Sequence, residues 1–227
     1  MLPNHKFFAS LATFTVLLLG RALAAEVPAD VHRIATAVDR RYNSLRSLET
    51  GFTETYSGEG ATRSESGTLW LRRPGKMRWE YRQPREKLFV SDGKTAWFYV
   101  PGEPQVRRAP VKKLDDLRSP LRYLLGQTRL EKEFSGLSLA PDVQPSRPGN
   151  VVLRGVPKGM EDRISQVLLE ITPGWQIARL VIEEGNGAVT EFRFAEQKEN
   201  VAIPDQRFKF SPPPGVEIVE AADISQE

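Results

Sequence analysis

The 227-residue chain contains no cysteine and only two histidines. It therefore cannot form disulfides or cysteine-based zinc sites, and it has no thiol that could accept a lipid. His5 lies in an N-terminal segment, residues 1–24, that we predict to be a cleaved signal peptide, so a catalytic triad or a zinc site would depend on His32 alone, whose neighbours lack metal-ligand spacing. We expect His32 to be a surface residue, and we predict no catalytic residue and no metal site.

Signatures of nucleotide and nucleic-acid binding are also missing. No GxGxxG or P-loop run occurs, so no nucleotide cofactor is expected. The formal net charge is only +3, and charges of both signs alternate along most of the chain, as on an ordinary solvated surface. These absences argue against an enzyme, a bound cofactor and a nucleic-acid partner.

The N terminus is typical of a secretory signal peptide. Lys6 precedes an uncharged apolar run from Phe7 to Gly20, and Ala22–Ala24 has the small-residue spacing of a signal-peptidase site. The run is shorter than the ~20 residues of a membrane-spanning helix, although an uncleaved anchor is the alternative. We predict a signal peptide at 1–24 and a single exported domain at 25–227. Loss of the peptide lowers the formal net charge from +3 to +1.

One helix and then many strands are predicted for the exported domain. Apolar residues recur every three or four positions between Pro28 and Leu48, with Asp30 as a plausible N-cap. The apolar period then changes to two, which predicts about ten strands. The clearest of these strands are Gly51–Tyr56, Thr68–Arg73, Lys76–Arg82, Lys87–Ser91, Thr95–Val100, Val151–Arg154, Ile164–Ile171, Gln176–Ile182 and Val189–Ala195.

A leucine-rich insert interrupts the strands. Residues from Lys112 to Leu125 have helical spacing, and Ser119–Pro120 is a good helix start. The leucines of this insert are Leu114, Leu117, Leu121, Leu124 and Leu125. A long antiparallel meander must curl or close on itself. The predicted fold is therefore mostly β (α+β), a large curled antiparallel sheet or half-open barrel with a lid of short α-helices.

Alternation along the strands places large apolar side chains on one face. Two interpretations stay open: a plain β core closed by helices, or an apolar hollow that holds a ligand beneath a lid. The residues of this predicted face are Leu69, Leu71, Met77, Trp79, Tyr81, Val167, Leu169, Ile171, Phe192, Phe194, Phe208 and Phe210.

Arg73 is in phase with Leu69 and Leu71, although a cation is costly to bury. One interpretation is that Arg73 extends into solvent at the strand end beside Pro74. The other is that it reaches the mouth of the sheet and donates hydrogen bonds to backbone carbonyls of the helical lid. Periodicity alone favours neither.

Several stretches together resemble a known family. "GTLWLRRPGKMRWEY", "PREKLFVSDGKTAWFYVP", "QV" at Gln105–Val106 and "FKFSPPPGVEIV" are similar to the periplasmic outer-membrane lipoprotein carrier family, the LolA-like proteins, roughly from Ala35 to Val219. The resemblance implies a half-open barrel with a lid. It further implies a carrier that accepts acylated lipoproteins from an inner-membrane lipoprotein-releasing ABC transporter and delivers them to an outer-membrane lipoprotein receptor.

The resemblance also assigns residues. Arg73 matches the arginine that holds the lid in this family, and Trp79 matches an aromatic residue of the hydrophobic cavity. We expect the acyl-chain cavity to be lined by Leu69, Leu71, Met77, Trp79, Tyr81, Val167, Leu169, Phe192 and Phe194.

Some segments depart from the family pattern. The Pro-rich loop around Pro141 to Pro148 matches poorly, and the lid helices, Lys112 to Phe134, match only in pattern. The receptor of the same fold is normally lipidated at a cysteine that this chain lacks, which favours a monomeric soluble carrier in the periplasm. The alternative is an exported lipid- or glycolipid-binding or lipid-sensing module of the same fold.

Overall fold

The computed structural model describes residues 30–111, 124 and 129–220, so the predicted signal peptide lies outside the described residues. The first helix, α1, spans Val31–Ser44, and the Asp30 side chain caps it by accepting a hydrogen bond from the backbone N–H of His32. Its apolar stripe, Ile34, Ala35, Val38 and Tyr42, is buried. The predicted helix and N-cap are confirmed, but the helix ends before Leu48 because the chain is already extended at Leu45.

The described residues also contain twelve strands, a short helix α2 and a 3-10 turn at Asp205–Phe208. The strands are β1 Ser47–Gly58, β2 Ala61–Arg72, β3 Lys76–Gln83, β4 Lys87–Asp92, β5 Thr95–Tyr99, β6 Gln105–Pro110, β7 Phe134–Leu139, β8 Val151–Pro157, β9 Ile164–Ile171, β10 Ile177–Glu184, β11 Val189–Glu199 and β12 Glu217–Glu220, and α2 is Leu130–Glu133.

All twelve strands belong to one sheet, in the order β12-β6-β5-β4-β3-β2-β1-β11-β10-β9-β8-β7. Two antiparallel meanders, β1–β6 and β7–β11, are joined where β1 pairs with β11, while β12 adds in parallel to β6. The sheet is curled and open, with β7 and β12 at its edges, which confirms the predicted fold class. None of the described helices is long and apolar enough to cross a membrane.

Two strands, β1 and β2, are longer than predicted, and two more, β6 and β7, add to the predicted set. The polar stretch "SGEGATRSES" was expected to be a connection, but only Glu59 and Gly60 form the turn, both with positive φ. The rest of the stretch pairs between β1 and β2, with both faces largely solvated, so it shows no apolar alternation. Strands β6 and β7 were likewise not predicted, because few of their residues are buried.

Two aromatic residues of the predicted inner face lie on the other side of the sheet. Phe208 packs with Trp70 and Ile203 on the outer face, and Phe210 packs against Trp97 and Tyr99. The prediction for Phe208 and Phe210 was wrong because they follow the last long strand in a segment without regular strand pairing, where alternation carries no information about the face.

Candidate functional site

The concave face of the sheet carries one large apolar cluster. All nine predicted lining residues belong to it or pack against it, together with the buried stripe of α1. Strand register explains this: Leu69 pairs with Trp79 and Leu71 with Met77, so their side chains share a face. Eight of the nine are buried and Met77 is half-buried.

Aromatic rings form the centre of this cluster. The Trp79 ring lies 4.9 Å from Phe52, 6.0 Å from Phe192 and 6.1 Å from Tyr81, between ring centroids. The edge-to-face geometry of the Phe52 and Phe192 contacts is favourable for aromatic pairs. Phe52 was missing from the predicted lining set, although it is the apolar residue of the strand predicted at Gly51–Tyr56.

The apolar surface continues across β4, β5 and β6. Phe89 pairs with both Trp79 and Phe98, which places all three side chains on the concave face. The residues of this extension are Ala96, Phe98, Val100 and Ala109, with Phe89 and Val111 packed against them. None of these residues was in the predicted lining set, because alanine and a single aromatic residue per strand give a weak alternation signal.

Polar side chains form a boundary of the concave apolar face. Glu54 and Glu65 are directly opposite each other on β1 and β2. The Tyr81 hydroxyl donates a 2.7 Å hydrogen bond to Glu54 Oε2, and Lys87 Nζ lies 2.5 Å from Glu65 Oε2. Burial, together with the charge of Glu65, raises the pKa of Glu54 despite the opposing effect of the Tyr81 hydrogen bond. We call Glu54, Glu65, Tyr81 and Lys87 the polar boundary.

Arg73 lies against the C-terminal end of α1. Its Nη2 donates to the carbonyl oxygen of Tyr42 at 2.7 Å and its Nη1 to that of Asn43 at 2.8 Å. Arginine is well suited to this position because the last carbonyls of a helix lack intrahelical partners and carry partial negative charge. Among the described contacts, therefore, the guanidinium binds a helix that packs on the concave face.

Only one lid leucine is described. Leu124 is 4% exposed and belongs to the concave apolar cluster, whereas Leu114, Leu117, Leu121 and Leu125 lie outside the described residues. At the end of the predicted lid, Leu130 in α2 is fully buried. Its backbone N–H donates to the Asp39 carboxylate of α1.

The outer face of the sheet carries a cleft that is lined by charged as well as aromatic side chains. The cleft has a volume of about 510 Å³ and lies between strands β3–β5 and the segment 209–211. Its lining includes Arg78, Glu80, Arg82, Tyr99, Lys209 and Phe210.

His32 lies outside the concave apolar cluster. Its side chain is 72% exposed, and its Nδ1 lies 2.9 Å from Glu131 Oε2. This confirms the prediction that His32 is a surface residue.

The described residues thus form a curled, open sheet with a continuous apolar concave face on which α1 packs. The family model described as outer membrane lipoprotein carrier protein LolA matches residues 43–211. The chain belongs to this family, which confirms the sequence-based recognition and the prediction of a carrier rather than an enzyme.

Individual relatives agree with this assignment. An outer-membrane lipoprotein carrier protein from Nitrosospira multiformis is 32% identical over 181 residues, covering 78% of this chain and 83% of that protein. One from Chromobacterium violaceum is 31% identical over 206 residues, covering 89% and 96%. An uncharacterized conserved protein from Thermus thermophilus shares the fold, with a TM-score of 0.51 and 15% identity over 84% of this chain and 98% of that one.

Proposed function

We propose that this protein is a periplasmic carrier that shields the acyl chains of lipoproteins against its concave apolar face. The observation that carries the proposal is the single apolar cluster that includes all nine predicted lining residues on the inside of a curled, open sheet. Each buried CH2 group contributes about 0.8 kcal/mol, so partial burial of several acyl chains provides sufficient holding strength.

The chain topology supports a lid. Strand β6 lies near one edge of the sheet and β7 forms the other, so the connection between Val111 and Arg129 has to join opposite edges. Both described ends of this connection, Val111 and Leu130, pack against concave clusters, and so does Leu124 within it. We therefore propose that the described parts of this connection, Val111, Leu124 and Leu130, cover part of the concave apolar face.

The proposed route is the one that the resemblance to the family implies. The carrier accepts lipoproteins from an inner-membrane lipoprotein-releasing ABC transporter and passes them to an outer-membrane receptor, working as a monomer in the periplasm. Transfer requires weak net binding, since no nucleotide drives it. Closure of the lid competes with the ligand for the same apolar surface and lowers the apparent affinity.

Arg73 is proposed as the latch of the closed state. Its guanidinium anchors the end of α1, and α1 contacts α2 at the end of the proposed lid. Through these contacts Arg73 stabilises the closed arrangement relative to the loaded one. Without Arg73, the loaded state gains relative stability and unloading becomes less favourable.

A matched pair of substitutions tests the proposed acyl site. Met77 and Leu88 are both half-buried apolar residues on neighbouring strands, but Met77 is on the concave face and Leu88 on the outer face. Met77→Lys places a charge in the acyl site and is expected to weaken binding of an acylated lipoprotein at least about 10-fold, whereas Leu88→Lys leaves it unchanged. Native mass spectrometry of the loaded carrier measures both.

Controls separate the alternatives. The same lipoprotein without its acyl chains should not bind the wild-type carrier. Equal loading of the Met77→Lys and wild-type proteins would contradict the concave acyl site. Recovery of the exported protein with free lipid or glycolipid, and never with an acylated polypeptide, would favour the lipid-binding or lipid-sensing module instead.

A further inference from the structure

Trp79 holds a buried hydrogen-bond donor for which the described residues provide no acceptor. The side chain is 2% exposed, and its indole Nε1 has no hydrogen-bond partner within the described part of the chain. Buried polar atoms are nearly always paired, and each exception requires a physical explanation. The one other such atom in the described residues is Arg154 Nε, whose guanidinium already binds Asp142 through Nη2.

The position of the Trp79 indole N–H indicates that a ligand supplies its missing acceptor. Trp79 lies in the concave aromatic cluster, 4.9 Å from Phe52 and 6.1 Å from Tyr81 between ring centroids. By contrast, Trp70 on the outer face donates its indole N–H to Glu49 at 3.0 Å. Of these two tryptophans, the concave one is thus the one whose donor has no acceptor among the described residues.

The concave face changes from apolar to polar next to Trp79. Trp79 and Tyr81 are buried on this face of β3, and the Tyr81 hydroxyl donates a hydrogen bond to Glu54, which lies opposite Glu65. Successive side chains on one face of a strand are about 7 Å apart, so the change from apolar rings to polar groups takes place within a short distance. An amphiphile places the junction between its acyl chains and its polar part at such a boundary.

The surroundings of the Trp79 indole N–H determine which kind of ligand group can accept its hydrogen bond. An indole N–H is a donor only, so its partner is an acceptor. The aromatic rings around Trp79 disfavour an anion, because an anion would lose its hydration among them. An uncharged carbonyl oxygen satisfies both conditions.

We infer that the Trp79 indole N–H binds the ester or amide carbonyl that joins an acyl chain to the polar part of the ligand. This inference rests on the proposed function. It adds the position of the ligand along the concave face, because the carbonyl at the start of an acyl chain would lie at Trp79. The polar boundary beyond Trp79 then accommodates the first polar groups of the ligand. Acylated polypeptides and phospholipids both contain such a carbonyl.

The test compares ligands with and without the carbonyl. The probes are a dipalmitoylated cysteinyl lipopeptide, its dialkyl ether analogue, and phosphatidylglycerol with its own ether analogue. Wild-type protein should bind the ester lipopeptide about 3- to 10-fold more tightly than the ether form, as expected for one hydrogen bond. Trp79→Phe, which keeps an aromatic ring but lacks the N–H, should lose this preference.

Trp70→Phe is the matched control, since it removes an indole N–H from the outer face and should keep the ester preference. If Trp79→Phe does not fold, the ¹H–¹⁵N resonance of the Trp79 indole in wild-type protein serves instead, and it should move with the ester and not with the ether ligand. An equal ester-to-ether ratio in wild type and Trp79→Phe, or an indole resonance that moves equally with both ligands, would overturn the inference.

Because the experiment uses both lipopeptide and phosphatidylglycerol probes, it tests this inference separately from the proposed function. An ester preference with the lipopeptide supports both. An ester preference with phosphatidylglycerol alone supports the role of Trp79 and contradicts the lipoprotein carrier. Wild-type protein that binds none of the acyl ligands overturns both.

Discussion

Glu54 and Glu65 are two acids placed directly opposite each other, beside aromatic rings. Like charges in this position destabilise a sheet unless other groups compensate. Glu65 has Lys87 as an ion-pair partner, whereas Glu54 has the neutral Tyr81 hydroxyl. Burial raises the pKa of Glu54, so its ionised form is disfavoured in the folded protein.

This shift predicts how Glu54→Gln affects stability. Because the folded pKa is raised, the stability contribution of Glu54 is complete below its unfolded pKa, about 4.3, and is lost as the pH rises through the folded value. Glu54→Gln should therefore raise the Tm at pH 7 by about 2–4 °C and change it much less at pH 4. Thermal unfolding from pH 4 to 8 measures the difference.

Glu65→Gln is the control, because it removes the partner of a largely buried lysine and should lower the Tm at pH 7. A Tm deficit of Glu54→Gln that grows as the pH rises from 4 to 8 would show that Glu54 is more stable ionised in the folded protein.

The Pro-rich loop between β7 and β8 is anchored by one buried acid. Glu170 on β9 accepts hydrogen bonds from the Ser146 backbone N–H and hydroxyl and from the Asn150 amide, and it pairs with Arg179 at 2.7 Å. Burial acts to raise the pKa of Glu170, but these hydrogen bonds and the Arg179 charge outweigh it and lower the pKa. The Pro-rich segment is thus held firmly on the outer face.

Replacing Glu170 should loosen this loop and destabilise the fold. Glu170→Gln is expected to cost about 3 kcal/mol at neutral pH, since it leaves Arg179 without its buried counter-charge. The folded pKa is lowered, so the contribution of Glu170 is present above pH ~4.3 and is lost as the pH falls through the folded value. Denaturant unfolding at a series of pH values should show a difference from wild type that is largest near pH 7 and shrinks as the pH falls below about 4.3.

Asp142→Asn serves as the matched control in the same loop. Its ion pair with Arg154 is exposed, so no measurable change is expected. Equal stability of Glu170→Gln and wild type at pH 7 would show that the loop is held by other contacts.

At the scale of the whole sheet, β6 lies next to the edge strand β12, and β7, the strand that follows β6 in the chain, forms the opposite edge. Arg73, at the end of β2 near the middle of the strand order, anchors α1, and α1 contacts the far end of that connection. The proposed latch therefore depends on the entire curled sheet. A change at Arg73 should alter the balance between closed and loaded states more than it alters the fold.

Arg73→Leu provides the test. We expect a folded protein that loads lipoprotein as well as wild type but delivers it to outer-membrane receptor much less, because the closed state no longer competes effectively. Loading and transfer are measured separately with purified receptor. Arg73→Lys keeps the charge but loses the two-pronged geometry, so it should have an intermediate effect. Transfer by Arg73→Leu at the wild-type rate would contradict the latch.

Much of the concave site could be predicted from alternation along the chain. Strands with strict period two, such as Lys76–Gln83, place Met77, Trp79 and Tyr81 on one face whatever their neighbours are. The helix stripe and the Asp30 cap are equally local and were also predicted correctly. The roles of the lining residues and of Arg73 stay predictions.

Other features depend on contacts between distant parts of the chain. Local alternation shows which side chains share a face within a strand, but it does not reveal that β1 pairs with β11, that Arg73 meets the end of α1, or that Phe208 lies on the outer face. Those outcomes follow from how the sheet curls and which edges remain open, and pairing over long sequence separations sets both. Periodicity along the chain was thus enough to specify an apolar face, whereas its curvature and the pairing of Glu54 with Tyr81 arise from folding of the whole sheet.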